Sequence, residues 1–336
     1  MFADRPRRDG AGPGRYGRPV DTGSQQHRYS VTAADAVPAA DRDTLLEMAR
    51  QTEAADGKPP LNDEALQAIQ HPDSLPSGQR PLHVTVHRVG VDPDGTQTLA
   101  WVGYAFLRDA ESDPTGSLFV LPEARRAGAG RRLLAAAIEA TESSVRIWAP
   151  GNSVAAQTLA ASAHFVPVRE LLIMSRPLDA PILEPAPPTG VIIRAFRPGV
   201  DDEAWVRVNS RAFAHHPEQG RVSVDGLRAS MAESWFDPND FLVAIDQASE
   251  ELLGFHWLKQ HSDTRGEVYV LGVDPDHAGR GLGKALLRAG LRHLRDDLGL
   301  AEVILYVEGD NEPAIGLYVL NGFTEINRDV LYGQRH

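Results

Sequence analysis

The sequence predicts a mixed α/β protein made of one module repeated twice. Two observations point to the repeat. The stretch Val268 to Leu287 runs strand, turn, glycine-rich loop and helix, and Ser117 to Leu134 repeats that order. In both halves, short strand-like apolar runs interleave with segments of helical period. A third observation divides the halves. The segment Arg176 to Thr189 carries five prolines, so it can be neither helix nor inner strand. The expected organisation is an arm over 1–28, a first module over 29–176, a linker over 177–189 and a second module over 190–336.

Composition narrows the classes of function. A chain of 336 residues with 42% hydrophobic content suits two soluble domains. It holds no cysteine, which excludes disulfides and thiolate metal sites and favours a cytoplasmic setting. No apolar leader and no run of about 18 apolar residues is present, so neither export nor a membrane span is expected. The formal charge of −12 argues against a nucleic-acid binder. Only the first 28 residues are rich in Arg, Gly and Pro; they are expected to be disordered, with an electrostatic tether to an acidic partner as the alternative. No heptad or exposed apolar stripe speaks for a dimer, so a monomer is expected.

In chain order, Leu45, Leu46, Met48 and Ala49 suggest a helix, as do Leu66 and Ile69. Strands are expected over Leu82–Val89 and Leu99–Leu107, joined by the Asp92-Pro93-Asp94-Gly95 turn. The first glycine loop, a helix over Arg131–Ala140 and a strand over Val145–Ala149 follow. In the second half, Val191–Arg194 is strand-like and Glu203–Phe213 helical. A hairpin of Phe241–Ile245 and Leu252–Lys259 precedes the Val268–Val273 strand, the second loop and a helix to about Leu298. After a strand over Val303–Val307 comes a helix over Glu312–Leu320, capped by Asp310 or Asn311, with Pro313 in its first turn and Gly322 at its end.

A bare Gly-x-Gly says little, and here its context matters. Gly279, Gly281 and Gly283 let backbone N–H groups approach an anion, the following helix points its positive end there, and Arg280 and Lys284 add charge. A diphosphate fits. A dinucleotide fold would need a third glycine or alanine where Leu286 stands.

At these residues the chain resembles the GNAT acetyltransferases, in a tandem arrangement. The family pattern Arg/Gln-x-x-Gly-x-Gly/Ala is met by Arg125-Arg126-Ala127-Gly128-Ala129-Gly130. The second copy, Ala278-Gly279-Arg280-Gly281-Leu282-Gly283, lacks the leading Arg or Gln. The stretch from Tyr306 to Tyr318 and Asn321-Gly322-Phe323 resemble the family's next strand and cofactor-side helix. The resemblance implies two modules, each a mostly antiparallel sheet flanked by helices, and an N-acetyltransferase using acetyl-CoA without a metal. It implies cofactor contacts at Leu271, Gly272, Val273, Ala278 to Lys284, and Asn311, Glu312, Pro313, Ala314, Ile315 and Gly316. In the first copy the matching contacts are Leu118, Phe119, Val120, Arg126, Ala127, Gly128, Ala129, Gly130 and Arg131. The thioester carbonyl would lie by the Leu271 N–H, with Val273 holding the pantetheine arm.

Acyl transfer to an amine needs a base, an oxyanion donor and a proton for the departing thiolate. Glu267 is the candidate base. On a regular strand it would share a face with Leu271, about 13 Å away, and act through water. Tyr318, on the helix face of Asn311, is the candidate acid. Aligning the first module on its glycines puts Pro114 at the place of Glu267, while the match to Tyr318 falls near Leu159 and that to Tyr306 near Ile147. None of these transfers protons, so one active site is expected, in the second half.

The stretches Arg207 to Gly220, Trp235 to Pro238 and Gly254 to Lys259 are similar to a tandem branch of the family that acetylates the cysteine amine of cysteinyl-glucosaminyl-inositol, a pseudo-disaccharide. That similarity implies acceptor contacts at Glu64, Glu218, Lys259, Glu267 and Tyr306. Two other readings stay open: a GNAT enzyme acting on an aminoglycoside or peptide amine, and a non-catalytic acyl-CoA sensor. His215 with His216, and His256 with His261, invite a metal reading, but no HExxH motif accompanies them.

Overall fold

The computed structural model describes residues 28–72, 80–108, 114–141, 143–214 and 219–334. The basic arm, apart from Arg28, lies outside the described residues, as do His215, His216 and Glu218. Two compact units are present: Met1–Arg169 with Asp329–His336, and Glu170–Arg328.

In the first unit, β1 (Tyr29–Ala34), β2 (Leu82–Val91), β3 (Gln97–Arg108) and β4 (Thr115–Val120) pair antiparallel in that order. β5 (Arg146–Ala149) then runs parallel to β4. Helices α1 (Arg42–Asp56), α2 (Asp63–Gln70), α3 (Ala129–Glu139) and α4 (Val154–Ser162) accompany the sheet. Leu45, Ile69, Tyr104 and Leu133 are fully buried in one core. Two more strands, β6 (Phe165–Pro177) and β12 (Thr324–Gln334), each divide between the units. The end of β12 pairs antiparallel with β5, Val330 opposite Ala149.

The second unit repeats this plan. β7 (Val191–Ala195), β8 (Phe241–Asp246), β9 (Leu252–Gln260) and β10 (Arg265–Val273) form the antiparallel part. β11 (Glu302–Glu308) runs parallel to β10, and the end of β6 closes the row antiparallel to β11. α5 (Asp202–Ala212) and α6 (Val224–Met231) cover one face with an aromatic core of Trp205, Phe241, Phe255 and Trp257. α7 (Leu282–Arg292) and α8 (Glu312–Leu320) pack on the other face, against Leu258, Val268 and Leu305. α7 buries Leu282, Leu286 and Leu287 and passes into a π-helical turn over His293–Asp297. In α8 the Asn311 side chain accepts the Ala314 N–H, and Gly322, at φ 87°, follows the helix end.

The boundary between units does not fall in the proline-rich segment. It falls inside β6, because Leu172 and Met174 are buried in the second unit's core and Leu171–Pro177 is in register with β11 along its length. The stretch from Pro181 to Pro188 has no helix or strand and belongs to the second unit. Among the described residues, no helix is long and apolar enough to cross a membrane.

Candidate active site

The parallel strands β10 and β11 stay together only briefly. Their ladder runs from Arg265↔Glu302 to Val268↔Leu305 and stops. At that point β10 carries a bulge, with Tyr269 as the extra residue between Val268 and Val270. β10 continues against β9 alone, and β11 continues against β6 to Glu308. The β11-facing backbone groups of Leu271–Val273 are thereby left open to a ligand.

The glycine loop stands at the mouth of this parting. Gly279 and Gly281 are left-handed, at φ 75° and 82°, and Gly281 caps α7. A Cβ on Gly283 would meet Val273 at 3.6 Å and Leu317 at 3.8 Å, so the start of α7 sits between the end of β10 and α8. The first-turn N–H groups of α7 have no carbonyl partners within the helix and attract an anion. Arg280 and Lys284 are exposed beside them, and Asn311, Glu312, Pro313 and Gly316 form an exposed rim on α8, with Ala314 and Ile315 half-buried. Arg211, at the end of α5, ties the turn before the loop by ion pairs to Asp274 at 2.9 Å and Asp276 at 2.6 Å.

Glu267 lies at the closed end, only 8% exposed. Burial raises its carboxyl above the usual range; the hydrogen bond and charge of His261, and the charge of Lys259, pull it back. His261 Nε2 is 2.5 Å from Glu267 Oε2. Lys259 is opposite Glu267 in the hairpin, and its ammonium stands 4.7 Å from the Trp235 ring centre and 5.7 Å from that of Tyr269. Tyr306, 47% exposed, shares the face of Glu267, since Glu267 pairs with Ile304 two residues earlier on β11. The expected common face of Glu267 and Leu271 is corrected. The bulge inserts one residue and reverses the alternation, so Glu267 shares its face with Val270, and Leu271 lies with Val268 on the α7 side.

Residues 206–323 match the acetyltransferase (GNAT) family. The chain is 46% identical over 306 residues to a mycothiol acetyltransferase of Catenulispora acidiphila, covering 87% of this chain and 95% of that protein. The chain belongs to the GNAT acetyltransferases, in the mycothiol acetyltransferase branch. A GCN5-related N-acetyltransferase from Sphaerobacter thermophilus has the same fold with a TM-score of 0.64 at 25% identity, covering 90% of this chain and 95% of that one. A tandem GNAT protein from the clavulanic acid pathway gives 0.63 at 18% identity, covering 91% and 98%. The mixed α/β fold with tandem GNAT modules, and the assignment as an acetyltransferase enzyme, follow from these matches.

Within this tandem GNAT fold, the first unit keeps the loop's backbone. Arg126 and Gly128, at φ 61° and 91°, stand where Gly279 and Gly281 do. Arg125 holds the loop: its Nε donates to the Val120 carbonyl and its Nη atoms to the Asp56 carboxylate at 2.8 Å. The second copy has Ala278 at that place, and Arg211 makes the corresponding tie from α5. β4 and β5 also part, after Ser117↔Trp148. A cavity of about 1010 Å³ opens there, lined by Leu118–Val120, Arg126–Arg131, Trp148 and Leu159. β4 has no bulge, its pairing with β3 being continuous. Pro114, Ile147 and Leu159 offer no proton-transferring group there.

Tyr318 is buried among the side chains on the α7–α8 face, its ring edge-on to Phe323, and burial pushes its phenol up to about 12. Glu64 sits half-buried in the first turn of α2, in the first unit. His256 is a packing residue: its Nδ1 lies 2.9 Å from the Leu286 carbonyl, and burial lowers the ring to about 4. Among the described residues, no group of three His, Asp or Glu side chains is placed to hold a metal ion. Sequence reasoning missed Trp235, Tyr269, Arg211 and the pairing of His261 with Glu267. The β9–β10 hairpin register, carried to its turn, could have brought His261 to Glu267.

Proposed function

We propose that this acetyltransferase moves the acetyl group of acetyl-CoA to the cysteine amine of cysteinyl-glucosaminyl-inositol, giving mycothiol, at a single active site in the second unit. The observation that carries this is the parting of β10 from β11, with an anion cradle at its mouth and the buried Glu267 carboxylate at its closed end.

The diphosphate is held by the N–H groups of Gly279–Gly283 with Arg280 and Lys284, and the pantetheine arm runs along Leu271–Val273 beside Asn311–Gly316. Glu267 and Tyr318 approach from opposite faces of the sheet, which suits a thioester lying in the gap. Glu267, through water, takes a proton from the acceptor ammonium. The freed amine attacks the thioester carbon, and the Leu271 N–H steadies the oxyanion. The C–S bond breaks, the Tyr318 phenol protonates the sulfur, and the new amide nitrogen releases its second proton to water, which returns a proton to the phenolate. Lys259 and Tyr306 meet the acceptor's hydroxyls. The first loop, with Leu118–Val120 and Arg126–Arg131, holds acetyl-CoA without turning it over, and such binding stabilises the native chain.

The test is mass detection of the N-acetylated product from acetyl-CoA with cysteinyl-glucosaminyl-inositol, an aminoglycoside and a peptide amine. Glu267→Gln is expected to lower kcat by about a hundredfold or more while acetyl-CoA still binds, and Pro114→Ala to leave kcat intact. Preference for the aminoglycoside or peptide overturns the acceptor; equal damage from both variants overturns the single site.

A further inference from the structure

We propose that His261 is a positioning residue that keeps the Glu267 carboxylate ionised and oriented as the base. This rests on Glu267 taking the acceptor's proton, as set out above.

The geometry singles out this ring. His261 Nε2 is the hydrogen-bond partner of Glu267 Oε2, at 2.5 Å, and occupies one of the two carboxylate oxygens. The Glu267 side chain is 10% exposed, whereas His261 is 37% exposed, so the imidazole joins a buried base to water. The ring stands on a fixed turn. The His261 N–H donates to the Arg265 carbonyl at 2.9 Å, and Ser262 Oγ accepts the N–H groups of Thr264 and Arg265.

A carboxylate this deep pays a desolvation penalty and would hold its proton into the range where it must be a base. Of the groups facing it, His261 offsets this most directly. Lys259 of β9 also favours the anion, but its ammonium is engaged over Trp235 and Tyr269. Tyr269 of β10 is neutral, its phenol raised by burial and by Glu267 and Glu233. Arg265, on the same strand, is paired with Glu302 of β11 at 2.9 Å, and Tyr306 of β11 lies on the face of Glu267. With its Nε2–H donated to Oε2, His261 leaves Oε1 for the water that meets the acceptor.

The test is the pH dependence of kcat/KM for the acceptor, measured on the full chain. In His261→Ala the support for the anion is gone, so the acid limb moves to higher pH by about one unit, and activity below the limb falls about tenfold. On the alkaline plateau it stays within about threefold of the parent, and the acetyl-CoA KM is unchanged. His261→Gln keeps an N–H donor without the charge and falls between the two, with an unaltered thermal midpoint. A fall of equal size at every pH, or a limb that does not move, overturns the proposal. If Glu267→Gln retains the parent's limb, the base assignment itself has failed, and that outcome is distinct from failure of His261 alone.

Discussion

Tyr318 illustrates how burial fits a single side chain to acid chemistry. Its phenol, pushed up to about 12 by loss of solvent, stays protonated throughout the working range of an enzyme. Tyr318→Phe removes one hydroxyl and little packing. We expect kcat to drop by about tenfold to a hundredfold, with the acetyl-CoA KM within about twofold, and steady-state kinetics will check this. The parent's kcat profile should show no alkaline limb from this group below about pH 10, given a phenol raised from its usual place near 10; a limb near neutrality that vanishes in the Phe variant would contradict the assignment. His293 makes a stability argument instead. It lies 2.7 Å from both Asp240 and Asp297, and these bonds raise its ring above the ordinary 6.5 despite burial. A raised folded-state value means the stabilisation is complete below 6.5 and fades as pH rises through that higher folded value. The gap in denaturation midpoint between the parent and His293→Ala should therefore be widest at mildly acidic pH and narrow towards alkaline pH. A gap that widens with pH would refute it.

Elements were legible in the sequence where one periodicity ruled them. β9, β10 and β11 are rich in large apolar residues, and α7 and α8 carry glycine, asparagine or proline punctuation at their ends, so their places could be read directly. β6 was hidden by prolines within it and at its end, and β12 by a polar start, Thr324 to Asp329, ahead of the Val330–Gly333 stretch that pairs with β5. The glycine loop and Glu267 were visible as chemistry. The face of Glu267 was not, because a single extra residue reverses a strand's alternation and is set by pairing with β9. The Gly254 to Lys259 stretch shows the same mixture. Lys259 reaches the site, whereas His256 fills the space that Gly290 leaves on α7. A Cβ on Gly290 would come within 2.3 Å of the His256 ring, with the strand behind it. Gly290→Ala should therefore cost about 1–3 kcal/mol by overpacking. Gly316→Ala on α8, where nothing lies within 4 Å, should be stabilising by about 0.4–1 kcal/mol. Urea denaturation of both variants would reveal a wrong sign at either position.

At the scale of the whole molecule, the units do not divide where the prolines suggest. The second unit begins at Glu170, ahead of the proline-rich stretch, and the first unit includes Asp329–His336 from the C-terminus. Cutting the chain where the prolines suggest a linker would therefore separate β11 from the strand that pairs with it between Glu302↔Pro177 and Glu308↔Leu171. It would also remove Leu172 and Met174 from the core shared with Val303, Leu305 and Tyr318. Each of those two side chains contributes about 1.5–3 kcal/mol by burial, a large part of a domain's net stability. The exposed edge of β11 would invite association between chains. A fragment of residues 190–336 is accordingly expected to lack a cooperative thermal transition and to turn over no acetyl-CoA. A fragment of residues 170–336, which restores the strand, should regain cooperative melting by circular dichroism. If 190–336 melted as sharply as the longer fragment, the strand would be dispensable, and the proline segment would be a true domain boundary. The opposite result would mean that the prolines mark only an irregular stretch within one folded unit.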